Sequence, residues 1–108
     1  MSKKLKPITV VIKEPGQAPR AETIENTLEA LQKVVGGYIE TVQFRVPGTL
    51  VVCNSEGKQQ GLPFNFYLGW DHVVGSVVIC SSKGEHFAGL SEKQQAQVIE
   101  SLRWRSSP

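Results

Sequence analysis

The chain has 108 residues, with twelve Lys or Arg against ten Asp or Glu, a net charge of +2, and 40% hydrophobic and 20% charged residues. One ordinary globular domain is expected over residues 1–108, large enough to bury a core without disulfide or metal staples. So small a net charge gives no argument for gathering nucleic acid by long-range attraction, and it argues against an acidic mimic of DNA.

No apolar run reaches the roughly 18 residues that span a bilayer, and the opening MSKKLKPITVV enters a strand rather than a leader, so a cytoplasmic protein away from membranes is expected. Basic residues cluster only at the ends, as Lys3, Lys4 and Lys6 and as Arg103 and Arg105. Residues 1–5 and 104–108 are therefore expected as ragged basic tails. Cys53 and Cys80 each stand alone in an apolar run, which marks buried thiols rather than a disulfide. With no CxxC and no Cys/His spacing of zinc type, neither a metal nor a cofactor is expected.

In chain order, Lys6 to Lys13 (KPITVVIK) reads as a strand covered on both faces for part of its length. Glu14-Pro15-Gly16-Gln17 is a turn, and Ala21 to Ile24 a short strand folding back on the first. Asn26 is the expected N-cap of a helix, with Glu29 in capping-box position. Leu28, Leu31, Val34 and Val35 give that helix an apolar face, and Gly36-Gly37 stops it. Tyr38 to Phe44 is a strand by its β-branched and aromatic content. Arg45 to Gly48 turns the chain into a buried strand, Leu50 to Cys53, which ends at the tight turn Asn54-Ser55-Glu56-Gly57. Lys58 to Gln60 is a short outer strand or loop.

Gly61 to Trp70 (GLPFNFYLGW) is rich in rings yet has neither helical nor strand periodicity. It reads as a long ordered loop, serving either to plug the core or to bind. Val73 to Cys80 reads as one central strand in which Gly75 marks a bulge or a close approach. A polar turn and the short extended piece His86-Phe87-Ala88 follow. A second helix then opens, capped reciprocally by Ser91 and Gln94 and striped with Val98, Ile99 and Leu102. The sum is an α+β domain with a mainly antiparallel sheet of four to six strands and two helices, both expected on one side of the sheet.

Four stretches in this order, VGGYIETV (Val35 to Val42), NSEGK (Asn54 to Lys58), GLPFN (Gly61 to Asn65) and VGSVVI (Val74 to Ile79), resemble domain of unknown function 3846. The likeness runs from about Ile8 to Gln94. That is a family of small proteins of bacteriophages, plasmids and integrated elements, with no established activity to carry over. What the resemblance implies is a setting: a host bacterial cytosol, and genes that manage conflict between an invading element and its host.

The chemistry-bearing residues do not assemble into a catalytic set. There are two histidines, His72 and His86, and no GxSxG, HExxH or glycine-rich phosphate loop. Asp71 and His72 are neighbours that a strand would point to opposite faces. No enzyme is expected. Binding residues are sought instead in the two turns and the aromatic segment, at Asn54, Glu56, Pro63, Phe64, Asn65, Tyr67 and Trp70. The rings suit stacking on a base, and the amides and carboxylate suit its edges.

The leading expectation is a counter-defence protein that sequesters a nucleotide-like signalling molecule. The alternative is an interaction module that inhibits a host defence protein through Gly61–Trp70. Single-stranded nucleic-acid binding comes third. A homodimer through a sheet edge or the Trp104 end is also open.

Overall fold

The computed structural model describes residues 5–105. The tails at 1–4 and 106–108 and the ring of Trp104 lie outside what is described, and with them much of the expected ragged termini and one of the two dimer surfaces. Among the described residues no helix is long and apolar enough to cross a membrane. The elements are β1 (Ile8–Lys13), β2 (Arg20–Ile24), α1 (Leu28–Val35), β3 (Ile39–Gln43), β4 (Thr49–Asn54), β5 (Phe64–Leu68), β6 (Asp71–Val74), β7 (Val77–Lys83), β8 (His86–Ala88) and α2 (Glu92–Arg105).

The main sheet is antiparallel in the order β2-β1-β7-β4-β3, with β8 pairing the end of β7, while β5 and β6 form a separate two-stranded hairpin. The α+β class and the central place of the valine-rich β7 are as the sequence indicates. The helices, however, lie on opposite faces of the sheet. Val10, Ile12, Val52, Val78 and Cys80 turn to the face covered by Leu31 and Val34 of α1. Val11, Val51, Cys53, Val77 and Ile79 turn to the other, under Val98 and Leu102 of α2 and Phe66 and Val73 of the hairpin. Near-continuous apolar runs in β1, β4 and β7 demand cover on both sides, and one helix goes to each.

Four local readings are corrected. Thr27, one residue later than expected, caps α1 by accepting the Ala30 N–H at 3.1 Å, and Asn26 instead donates to the Phe87 carbonyl at 2.9 Å. Leu28, in the first turn, is half exposed. The segment Gly61 to Trp70 contains a strand, β5. A register shift between Phe64 and Phe66 turns both Asn65 and Phe66 inward, which erases the alternation that would reveal it. Val73 to Cys80 is two strands in two sheets, since Gly75, at φ +75°, takes the chain from β6 to β7. The cap of α2 is as expected: Ser91 N–H donates to Gln94 Oε1 at 3.0 Å and Gln94 N–H to Ser91 Oγ at 3.1 Å.

Candidate binding hairpin and cleft

The hairpin is fixed to the main sheet by Asn65. Its Nδ2 donates to the carbonyls of Lys13 (2.9 Å) and Gly75 (2.7 Å), and its Oδ1 accepts from Lys13 Nζ at 3.0 Å. Lys13 is only 1% exposed, and its second partner is the Glu14 carbonyl at 2.9 Å. Burial lowers its pKa, because an ammonium satisfied by neutral oxygens alone loses more hydration than it regains. Gly75 N–H closes the root of the hairpin on the Pro63 carbonyl at 2.8 Å. A side chain on Gly75 would stand 2.8 Å from Leu62 Cδ1. Asn65, expected to read a ligand edge, is spent on this joint, and Pro63 contributes its carbonyl to it.

Asn54 makes a second joint. Its Oδ1 accepts the Glu56 N–H at 2.8 Å, and its Nδ2 donates to the Val35 carbonyl (3.2 Å) and Gln60 Oε1 (3.4 Å). It thereby ties the end of β4 to the end of α1, where a side chain on Gly37 would meet it at 2.9 Å. Asn54 borders the cleft described below, but its amide faces the protein.

The remaining candidates fall on the outer face of the hairpin and its rim. Phe64 is half-buried and lies 4.8 Å from Tyr67 and 6.1 Å from His72, ring centre to ring centre. Tyr67 is 45% exposed, and Trp70, in the β5–β6 turn, has its whole side chain in solvent. The aromatic segment is thus neither plug nor loop throughout. Phe66 fills the core against Phe44 at 6.2 Å, edge to face, while Tyr67, the next residue, faces water.

Beside this face a cleft of about 260 Å³ opens between β6, the Asn54–Lys58 turn and the inner side of β3. Val42, Cys53 and Val73 line it, with Glu40, Glu56, Lys58, Asp71 and His72 as its polar groups. Sequence reasoning did not gather Glu40, Lys58, Asp71 and His72 here. They come from three separate stretches, brought together where β3 pairs with β4 and β6 packs against β4. Lys58 Nζ bonds Asp71 Oδ1 at 2.6 Å, and the His72 backbone N–H bonds the same oxygen at 2.7 Å. The Lys58 bond, then the His72 N–H, holds the Asp71 pKa below the usual carboxylate value. His72 Nδ1 stands 3.8 Å from that oxygen, an exposed surface pair.

Cys53 Sγ lies 3.8 Å from the Glu40 carbonyl and 3.9 Å from its Oε1. Burial, then the Glu40 carboxylate, pushes its thiol up to about 11, and burial alone pushes Cys80 up to about 12. Such thiols are protonated and unreactive near neutral pH. Among the described residues no three His, Cys, Asp or Glu side chains stand together as a metal site. A larger, more open groove of about 750 Å³ runs between α1 and the β1–β2 hairpin. Arg20 occupies two of its carboxylates there, bonding Glu14 at 2.7 Å and Glu22 at 3.1 Å.

No curated protein and no solved structure matches the chain. The family model described as Domain of unknown function (DUF3846) matches residues 8–103, nearly the whole chain, and the protein belongs to that family.

Proposed function

We propose that the chain is a non-catalytic binding protein whose working surface is the outer face of the β5–β6 hairpin together with the adjoining cleft. Trp70 carries this reading. Its ring is held entirely in water in the turn of a hairpin whose root is fixed by Asn65, Lys13 and Gly75. A large ring presented on a stiff support has the makings of an interface anchor, and Tyr67 stands on the same hairpin.

The charges favour a protein as the occupant. Glu40, Glu56 and Asp71 surround the cleft against Lys58 and His72. A cationic side chain of a partner suits that balance better than the phosphates of a nucleotide. In the setting that the family resemblance implies, a phage or mobile element in a bacterial cytosol, the partner class is a host defence protein and the outcome is its inhibition.

A nucleotide-like signalling molecule is the second reading. What favours it is the ring face of Phe64, Tyr67 and His72, on which a base can stack. The two are separated by capture from a bacterial lysate alongside calorimetric titration with cyclic and ADP-ribose-derived nucleotides. A stoichiometric protein partner is expected, its affinity falling roughly 100-fold in Trp70→Ala, as for an anchor worth about 2–4 kcal/mol. Heat from a nucleotide with no protein captured moves the assignment to the second reading, and silence in both assays overturns both.

A further inference from the structure

We propose that β3 pairs with the β3 of a second copy of this chain, antiparallel about a two-fold axis through Thr41, so that two main sheets continue as one. β3 is an end strand of the sheet, with four of its five residues exposed. Its register with β4 runs from Ile39 opposite Asn54 to Gln43 opposite Leu50. Two bonds just beyond its ends fix the phase of the ladder: Ser55 N–H donates to the Tyr38 carbonyl at 2.9 Å, and Phe44 N–H to the Thr49 carbonyl at 3.1 Å. Bonded and non-bonded pairs alternate in an antiparallel ladder. Tyr38, Glu40, Val42 and Phe44 therefore turn their backbone groups to β4. Ile39, Thr41 and Gln43 turn an N–H and a carbonyl outward.

Among the described residues the row is lightly guarded, with Glu40 as the single charge of β3. β3 has no proline, no lysine and no bulge in its pairing, the usual devices against edge pairing. The opposite edge differs, since β2 carries the charged Arg20 and Glu22, and β8 is three residues long. β3 also holds Val42 at 39% exposure, with Tyr38 at 72% just before it.

The strand is complementary to itself in one register above the others. With Thr41 opposite Thr41, all three outward residues find partners, Ile39 meeting the second copy's Gln43 and the reverse. Glu40 then lies opposite Val42. Moving the axis one residue back, to Glu40, sets the two Glu40 carboxylates face to face, which like-charge repulsion disfavours.

Glu40 and Val42 line the cleft, so the second copy's Val42 and Glu40 would extend it across the seam. Two hairpins would then share one trough. The dimer stands whether or not the hairpin takes a protein partner.

Sedimentation equilibrium on the full chain tests this. The wild type is expected at twice the 11.9 kDa chain mass. Thr41→Pro deletes an outward N–H without removing a bond to β4, and is expected at one chain mass with an unchanged far-ultraviolet spectrum. Two further variants read the register and keep the test open if the proline disturbs the fold. Val42→Glu places a carboxylate opposite Glu40 twice per dimer and weakens association about tenfold. Val42→Lys places an ammonium there and leaves the dimer intact. A monomeric wild type, a dimer that survives Thr41→Pro in a folded protein, or equal dissociation by Val42→Glu and Val42→Lys overturns the proposal.

Discussion

The two faces of the β5–β6 hairpin are built to opposite rules. On the inner face Asn65 has each amide atom bonded, and Phe66 and Val73 are packed into the core. On the outer face Phe64, Tyr67 and His72 lean on one another in solvent, with Trp70 standing clear beside them. The stretches that carry the family likeness supply the joints, though Phe64 of GLPFN stands on the outer face and Glu40, Val42, Glu56 and Lys58 line the cleft. GLPFN contributes Asn65, VGSVVI contributes Gly75, and NSEGK contributes the Asn54 joint to the end of α1. Tyr67, Trp70 and His72, on the outer side, lie outside those stretches.

The sharpest way to break that comparison is to exchange one residue from each face. Asn65→Leu strips a buried ammonium of one of its two acceptors and leaves the Lys13 and Gly75 carbonyls without their donor. A loss of about 3 kcal/mol or more is expected, from the desolvation of groups left unpaired in the interior. Tyr67→Ala, two residues along the same strand, is expected to cost only about 0.5–1.5 kcal/mol, the worth of its ring contact with Phe64. Thermal unfolding of both reads the difference, roughly 10 °C or more in melting temperature. Equal melting temperatures would mean that the two faces are not distinct in kind.

A smaller effect is expected at the point where the chain leaves the hairpin. Gly75→Ala forces a side chain into a left-handed conformation and sets its Cβ 2.8 Å from Leu62 Cδ1. The strain is expected to cost about 1–3 kcal/mol, less than losing Asn65 because Leu62 can shift. Chemical denaturation measures it, and an unchanged midpoint would remove Gly75 from the joint.

These positions also mark what could be seen in the sequence. The α+β class, the reciprocal Ser91–Gln94 cap and the central β7 were legible because propensity, capping chemistry and apolar runs are local signals. β5 was not, because its bulge puts Asn65 and Phe66 on the same side and leaves no period of two to find. The seven site residues split for a related reason. A polar side chain beside aromatics reads alike whether it faces a guest or the protein, and only the register of β5 against β6 and the position of Lys13 decide. Asn54 and Asn65 went inward, Pro63 lent its carbonyl, and Phe64, Tyr67, Trp70 and Glu56 stayed at the surface. The opposite placement of the two helices was legible in principle: Val10-Val11-Ile12 and Val77-Val78-Ile79 bury both alternations, and a strand of that kind needs cover on each side.

The finest test concerns the rim of the cleft. Asp71 has its pKa lowered chiefly by the Lys58 hydrogen bond, next by the His72 N–H. The sign follows from linkage. A carboxylate whose folded pKa lies below its unfolded value adds stability above the unfolded value and loses it as pH falls through the folded one. Whatever stability this exposed pair adds is therefore fully present at neutral pH, and is lost only as pH falls below the ordinary carboxylate value of 3.8 and through the lower folded one. Nuclear magnetic resonance titration of the Asp71 carboxyl resolves it directly. The midpoint is expected below 3.8 in the wild type. In Lys58→Met it should rise toward that value without reaching it, since the His72 N–H still donates. A midpoint indifferent to Lys58→Met would show that solvent separates the two side chains, and the polar rim would then have to be redrawn with Lys58 free to meet an anion.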